Sequence, residues 1–127
     1  MAALKPIRVL LVDDEFRLRQ MAKRLLLADH EIEVVGEAAD GRNAIDLNSQ
    51  LNPDLILMDI AMPQLNGLLA TKIIRKQSSD PKIIIMTAMA AEPYRKAAME
   101  VGASAFLSKG ALDSELVPTI HRMFDIH

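Results

Sequence analysis

Short aliphatic runs alternate with segments of helical periodicity along the whole chain. Five runs are apolar, the last of them weaker than the others, and they cover residues 8–12, 33–35, 54–58, 82–86 and 105–107. Continuous rather than alternating apolar runs are typical of parallel strands covered on both faces. Helical spacing follows each run and predicts helices over residues 16–27, 42–51, 68–77, 94–101 and 115–124. This βα alternation predicts a three-layer α/β/α domain with right-handed crossovers.

The first predicted helix divides into an apolar and a basic face. The apolar face, which we expect to be buried, comprises Leu18, Met21 and Leu25, with Ala22 at its edge. The polar face, which we expect to be solvated, comprises Arg17, Arg19, Gln20, Lys23 and Arg24. Residues that commonly cap helices support the predicted boundaries, because Asp40 precedes the second helix, Asn52 follows it, and Gly102 follows the fourth.

Composition narrows the class of protein. A chain of 127 residues, 50% hydrophobic and 25% charged, fits one globular domain, which we expect to span 1–127. The net charge of -2 argues against direct nucleic-acid contact by this domain and favours a protein partner. The absence of cysteine excludes disulfides and thiolate chemistry. The apolar run near the amino terminus is too short for a signal peptide or a membrane span. We therefore expect a cytoplasmic protein without membrane contact.

Polar residues follow the predicted strands at the points where the strands end. These residues are Asp13 and Asp14 after the first strand, Asp59 after the third, Thr87 after the fourth, and Ser108 and Lys109 after the fifth. Ligands of open α/β sheets bind in a crevice outside the carboxyl ends of the strands. We therefore expect three carboxylates, a hydroxyl and an ammonium group to converge there.

Such a cluster of carboxylates requires a cation. Two unit charges roughly 4 Å apart repel by about 4 kcal/mol at an effective dielectric of about 20. Oxygen donors without His or Cys favour Mg²⁺. With a metal on one side and Lys109 on the other, Asp59 becomes a candidate nucleophile toward phosphorus. Thr87 could hydrogen-bond the phosphoryl oxygens once they are in place.

The motifs at these strand ends resemble, as a set and in order, those of the receiver domain of two-component response regulators. They are Val12-Asp13-Asp14-Glu15, Leu57-Met58-Asp59 with Pro63 and Gly67 following, Met86-Thr87-Ala88, and the stretch from Gly102 to Lys109. The resemblance covers essentially the whole chain. It implies a flavodoxin-like (βα)5 fold with a five-stranded parallel sheet in the order 2-1-3-4-5. The stretch around Lys109 also resembles receivers that precede helix-turn-helix output domains.

The resemblance implies a role for each matching residue. Asp59 would accept a phosphoryl group, and Lys109 would pair with its oxygens. Mg²⁺ would be bound by Asp14, by the Asp59 side chain and by the backbone carbonyl of Ala61, with Asp13 holding the ion through water. Thr87 would move toward the phosphoryl group, and Phe106 would act as the switch aromatic that turns into the space that Thr87 leaves.

The resemblance also implies partners and an output. The phosphoryl donor would be a sensor histidine kinase, a phosphotransfer protein or a small donor such as acetyl phosphate. Phosphorylation would change the face formed by helix four, strand five and helix five. That change would control an output domain or partner in transcription regulation, or a homodimer. Such a protein is a signalling switch and not an enzyme, since it catalyses only its own phosphorylation and dephosphorylation.

The chain departs from the family pattern in three respects. Gly110 replaces the proline that usually follows the lysine, so we expect a flexible or differently shaped turn. Ala61 and Met89 occupy the positions that flank the path of the attacking water, and neither can position water, so we predict slow self-dephosphorylation. Pro118 lies within the last predicted helix, which we expect to begin late or to kink.

Simpler interpretations exist for each residue taken alone. Asp13, Asp14 and Glu15 could cap the first helix, where acidic residues favour the dipole. Thr87 could be a structural threonine and Lys109 a surface lysine. It is the combination with Asp59 that favours a cation site. Phe106 is a core residue under either interpretation.

Two other classes of protein fit the sequence less well than a phosphorylation-dependent signalling switch does. An aspartate-nucleophile phosphatase of the haloacid-dehalogenase type places a second Asp two residues after the nucleophile, where this chain has Ala61. A nucleotide or flavin binder would carry a glycine-rich loop after the first strand instead of Asp-Asp-Glu. The alternative that stays open is a receiver-like interaction module that works by binding, without phosphorylation.

Overall fold

Five parallel strands form the centre of the structure, a computed structural model that describes residues 5–62, 65–88 and 92–126. The strands are β1 Ile7–Val12, β2 Ile32–Ala38, β3 Leu55–Asp59, β4 Lys82–Thr87 and β5 Ala105–Ser108. They lie in the order β2-β1-β3-β4-β5. The predicted flavodoxin-like sheet is therefore confirmed. The order reverses between β1 and β3, and that point locates the crevice in such sheets.

Five α-helices and one short 3-10 helix connect and flank the strands. They are α1 Phe16–Leu27, α2 Gly41–Leu51, α3 Gly67–Gln77, α4 Glu92–Glu100 and α5 Leu112–Met123, with a 3-10 helix at Lys109–Ala111 between β5 and α5. Among the described helices, none combines the length and the apolar character needed to cross a bilayer.

The helices cover both faces of the sheet, which explains why the strands are apolar at successive positions. Alternate residues of one strand enter opposite cores, as Leu10 and Leu11 of β1 do. One core lies under α1 and α5 and contains their residues Leu26, Leu116 and Ile120. The other lies under α2, α3 and α4 and contains Ala44, Ala70, Ile74 and Ala98. Small alanines at these helix positions let the helices approach the sheet closely.

The caps predicted from the sequence stabilise the ends of the helices. The Asp40 side chain accepts a hydrogen bond from the Asn43 backbone N–H at 2.8 Å, which satisfies a free donor at the start of α2. Asn52 ends α2 in the left-handed conformation with φ of 48°. Gly102 follows α4 with φ of 103°, which a residue with a Cβ rarely adopts.

Two boundaries differ from the sequence prediction by three residues, the largest differences among the described elements. β2 continues past Val35 to Ala38, because Glu37 and Ala38 pair with Leu11 and Val12 of β1 even though Gly36 and Glu37 interrupt the apolar pattern. For α5 we expected a late start or a kink, and the late start is wrong, since the helix begins at Leu112 and runs through Pro118 to Met123. A kink at Pro118 stays a prediction.

Candidate functional site

The register of the sheet brings the predicted polar residues to one edge. Val12 is the partner of Met58, so Asp13 and Asp59 follow in neighbouring positions at the ends of β1 and β3. Asp59 is in turn the partner of Met86, which places Thr87 one residue further along β4. Thr87 is the partner of Ser108 on β5, and Lys109 follows directly. The crevice between β1 and β3 thus collects residues from four strands.

Three carboxylates and one ammonium group meet in this crevice. One carboxylate oxygen from each of Asp13, Asp14 and Asp59 lies within 4.8 Å of the other two. The Lys109 Nζ lies 2.8 Å from Asp13 Oδ2 and 3.3 Å from Asp59 Oδ2. Asp13 and Asp59 are buried, at 0% and 3% exposure, whereas Asp14 is exposed at the mouth. We call this set of four residues the acid cluster.

Backbone groups on both sides hold Asp13 in place. The Asp13 N–H donates to the Ala38 carbonyl at 3.0 Å, and Asp13 Oδ1 accepts a hydrogen bond from the Glu15 N–H at 2.8 Å. Glu15 is the N-cap of α1, but its side chain makes no capping bond. The Asp13 side chain is thus held between Lys109 and the Glu15 N–H, a contact that the simple helix-cap interpretation does not explain.

Burial and mutual repulsion disfavour the ionised forms of the buried acids. Burial, together with the charge of Asp13, raises the pKa of Asp59 to about 6, although Lys109 opposes the shift. Burial also raises the pKa of Asp13 despite its hydrogen bond to Lys109. Burial lowers the pKa of Lys109, but the two carboxylates outweigh that effect and leave the pKa raised. The cluster is therefore short of positive charge.

The donor set fits a small divalent cation. All three candidate ligands are carboxylate oxygens, the hard donors that Mg²⁺ prefers. One side of the cluster is exposed through Asp14, so an ion and a phosphoryl group could both enter. A second positive charge beside Lys109 would also relieve the electrostatic cost of burying Asp13 and Asp59.

The remaining predicted site residues lie at the end of β4, in the turn after β3 and on β5. Thr87 is nearly buried at the end of β4, and Ala61 lies exposed in the turn after β3. Phe106 is buried on β5 among the core residues under α2, α3 and α4. The guanidinium carbon of Arg95 on α4 lies 5.7 Å from the centre of its ring. Two residues of the predicted motifs, Pro63 and Met89, lie outside the described residues.

The turn after β5, where Gly110 stands in place of the family's proline, is the 3-10 helix Lys109–Ala111. The Ser108 side chain accepts a hydrogen bond from the Gly110 N–H at 3.2 Å and so caps this helix. The turn fixes the backbone of Lys109 beside the crevice and leads directly into α5. Gly110 has room for a larger residue, since an added Cβ would meet only the Ser108 hydroxyl at 3.7 Å.

Sequence reasoning missed one residue next to the acid cluster. Arg19, which the helical pattern placed on a solvated face, donates a hydrogen bond to the Asp13 carbonyl and pairs with Glu37 on β2. The pattern of α1 contains no sign of this role. A signal did exist in β2, because a glutamate near the carboxyl end of a covered strand requires a positively charged neighbour.

Comparison with known proteins identifies the family to which this fold and its strand-end acids belong. Residues 9–121 match the family described as "Response regulator receiver domain". The chain belongs to this family, as its sequence motifs indicated. It is 40% identical to the transcriptional regulatory protein LiaR of Bacillus subtilis over 90% of the chain, and 39% identical to the response regulator UvrY of Escherichia coli over 93%.

Solved structures give the same result. The receiver domain of the putative response regulator NarL from Mycobacterium tuberculosis superposes with a TM-score of 0.90 at 28% identity, covering 94% of this chain and 97% of that one. A LuxR-family two-component response regulator from Aurantimonas gives a TM-score of 0.89 at 33% identity, covering 94% and 85%. The chain spans about half the length of the curated relatives it matches, 54% for both LiaR and UvrY.

Replacing Asp59 by Asn should stabilise the metal-free protein at high pH. The folded pKa of about 6 exceeds the ordinary value of 3.8, so ionisation of Asp59 destabilises the fold as pH rises through this interval. At pH 8, Asp59→Asn should therefore raise the free energy of unfolding by roughly 2 to 3 kcal/mol. At pH 3.5 the gain should nearly vanish. Urea unfolding in EDTA at both pH values measures the difference, and an equal gain at both would contradict this electrostatic account.

Replacing Gly67 by Ala should distort the acid cluster. A Cβ on Gly67, the first residue of α3, would lie 2.0 Å from the Asp59 carbonyl oxygen, so the backbone after β3 must move. We expect a loss of about 1 to 3 kcal/mol in unfolding free energy, together with weaker Mg²⁺ binding.

Urea unfolding and calorimetric titration with MgCl₂ check both effects of Gly67→Ala. Gly110→Ala is the matched control, since its Cβ has open space beside the same site, and it should leave both quantities near their wild-type values. Unchanged stability in Gly67→Ala would show that the contact is easily relieved.

Proposed function

We propose that this chain is the phosphorylatable receiver domain of a transcription-regulating response regulator, with residues 1–127 as one switch unit. One observation carries the proposal: Asp13, Asp14, Asp59 and Lys109, distant in sequence, meet at the strand ends of a receiver fold. Relatives named as transcriptional regulators support the transcriptional role, and an output domain would follow the receiver. The protein acts in the cytoplasm, where the sensor kinase presents its phosphohistidine.

Asp59 is the phosphoacceptor in this proposal. Its carboxylate oxygen attacks the phosphorus of a phosphohistidine or of acetyl phosphate, and the bond from phosphorus to the imidazole nitrogen or acetate oxygen breaks as the aspartyl phosphate forms. The raised pKa of Asp59 still lies below neutrality, so the nucleophile is ionised at pH 7.5. Lys109, which contacts Asp13 and Asp59, would then pair with the negatively charged phosphoryl oxygens.

The acid cluster also supplies the ligands for Mg²⁺. Asp14, the Asp59 side chain and the Ala61 carbonyl would bind the ion directly, and Asp13, already paired with Lys109, would bind it through water. When bound, the metal neutralises charge on the transferring phosphoryl group. Because Asp14 is exposed, a donor protein can reach the site from that side.

The signal passes from the acid cluster to the face formed by α4, β5 and α5. Thr87 and Ser108 are neighbours in register, so a movement of Thr87 toward a phosphoryl group acts on β5 directly. Phe106 lies two residues earlier on β5 and is the switch aromatic of this proposal. The resulting shift in a pre-existing equilibrium controls the output domain or a homodimer.

Acetyl phosphate with Mg²⁺ should add one phosphoryl group to the protein, as measured by intact mass. Asp59→Asn should abolish the addition because it removes the nucleophile. The matched control is Asp46→Asn, which removes an exposed carboxylate from α2 and should leave the addition unchanged. Failure of the wild-type protein to gain mass favours an interaction module that works without phosphorylation. A phosphoryl group that persists in Asp59→Asn places the modification elsewhere.

The aspartyl phosphate should be long-lived. Ala61, exposed beside the site, has no polar atom to position a water molecule, and the sequence places Met89 at the second flanking position. Decay of the phosphorylated mass at neutral pH, after the donor is removed, measures the lifetime. Ala61→Asn should shorten the lifetime several-fold by holding a water molecule, whereas Ala61→Val should not. A wild-type lifetime of seconds would refute this account of the water path.

A further inference from the structure

The Arg19 guanidinium connects the acid cluster to the edge of the sheet. Its Nη1 donates a hydrogen bond to the Asp13 carbonyl oxygen at 2.5 Å, and its Nε donates to Glu37 Oε1 at 3.1 Å. The exposed ring of Phe16 lies 5.7 Å from the guanidinium carbon. The Arg19 side chain is only 16% exposed, so the expectation of a solvated residue is wrong at this position.

Glu37 is itself firmly held and can orient the guanidinium. Its backbone belongs to β2 and pairs with Leu11 of β1. Its second carboxylate oxygen accepts a hydrogen bond from the Lys23 Nζ at 3.0 Å. Hydrogen bonds from Lys23 and then from Arg19 lower the pKa of Glu37, so it is ionised at neutral pH. The planar guanidinium has two donors in a fixed geometry, one aimed at Glu37 and one at Asp13.

The Asp13 carbonyl controls where Asp14 lies. The peptide bond between the two residues is planar, so fixing the Asp13 carbonyl oxygen fixes the plane from which the Asp14 residue extends. The Asp13 side chain is held by Lys109 and by the Glu15 N–H, and its own N–H is held by Ala38. Asp14 is exposed, so packing restrains its side chain little. The position of its backbone therefore sets where its carboxylate can reach.

We propose that Arg19, oriented by Glu37, is a positioning residue for the metal site: it fixes the Asp13–Asp14 peptide so that the Asp14 carboxylate stays within reach of the one on Asp59. This inference rests on the proposed function, since it assigns Asp14 to Mg²⁺. Arg19 touches neither the ion nor the reacting atoms. Its effect on the acid cluster passes entirely through the Asp13 carbonyl.

Magnesium titration of three variants tests the proposal. Outer-shell groups typically change metal affinity by 10- to 100-fold when removed, so Arg19→Met should raise the Kd for MgCl₂ by about tenfold. Arg19→Lys keeps the charge but cannot bridge Glu37 and Asp13 with a rigid fork, so its Kd should rise as much. Arg17→Met is the matched control, an exposed arginine of the same helix whose removal should change Kd less than about twofold.

Amide hydrogen exchange of the metal-free protein provides an independent readout. The Glu15 N–H donates to Asp13 Oδ1, so its exchange reports on the loop that Arg19 is proposed to hold. Exchange at Glu15 should accelerate at least tenfold in Arg19→Met and stay unchanged in Arg17→Met. Glu37→Gln, which weakens the orienting bond and keeps its shape, should give an intermediate acceleration. It serves as the second variant if Arg19→Met fails to fold.

The outcomes separate this proposal from the proposed function. If the wild-type protein does not bind Mg²⁺, the proposed function fails, and exchange at Glu15 still decides whether Arg19 holds the loop. If Arg19→Met binds Mg²⁺ within twofold of wild type, the positioning role is overturned and the phosphoacceptor stands. Should Arg19→Lys behave like wild type, charge and not geometry accounts for the effect, which also overturns the proposal. A lower melting temperature with unchanged Kd would reveal a structural role only.

Discussion

The Lys109 ammonium group, placed between Asp13 and Asp59, is the interaction on which the acid cluster depends. Two buried carboxylates at neighbouring strand ends would repel strongly without a cation. Lys109 reduces that repulsion but leaves the pKa of both carboxyl groups raised. The remaining shortage of positive charge makes the site receptive to a divalent ion. Stability and the proposed function are thus opposed at this crevice, since the fold retains an unfavourable charge arrangement that the proposed phosphoryl transfer would use.

The surrounding architecture serves to keep that arrangement fixed. β1 and β3 lie side by side at the point where strand order reverses, which brings Asp13 and Asp59 together. The 3-10 helix after β5 sets the backbone of Lys109, and the close approach of Gly67 to the Asp59 carbonyl sets the path after β3. Because the charged groups lie at the ends of β1 and β3 and in the 3-10 helix after β5, a change in charge at the site can act on elements far apart in sequence.

The sequence predicted features that follow from periodicity and failed where tertiary contacts decide. Apolar runs identified all five strands, and the rule that ligands bind beyond the strand ends brought Asp13, Asp14, Asp59 and Lys109 together. The end of β2 was missed because Gly36 and Glu37 break the apolar pattern while ladder pairing with β1 continues. Arg19 was misplaced because helical periodicity assigns a face and cannot show that a strand glutamate lies opposite it. The start of α5 was missed because a penalty at Pro118 was weighed without the packing of Leu112 and Leu116.

The number of charges in the acid cluster has a further consequence. Three carboxylates set against the single ammonium of Lys109 leave two negative charges without compensation, the number that one divalent ion cancels. An electroneutral pocket of this kind discriminates ions by valence, since a monovalent ion leaves a deficit and a trivalent one an excess. Conversion of Asp59 to an acyl phosphate would then upset electroneutrality by about one unit. Nearby dipoles would reorient to screen that surplus, and their reorientation would be the first mechanical event of the signal.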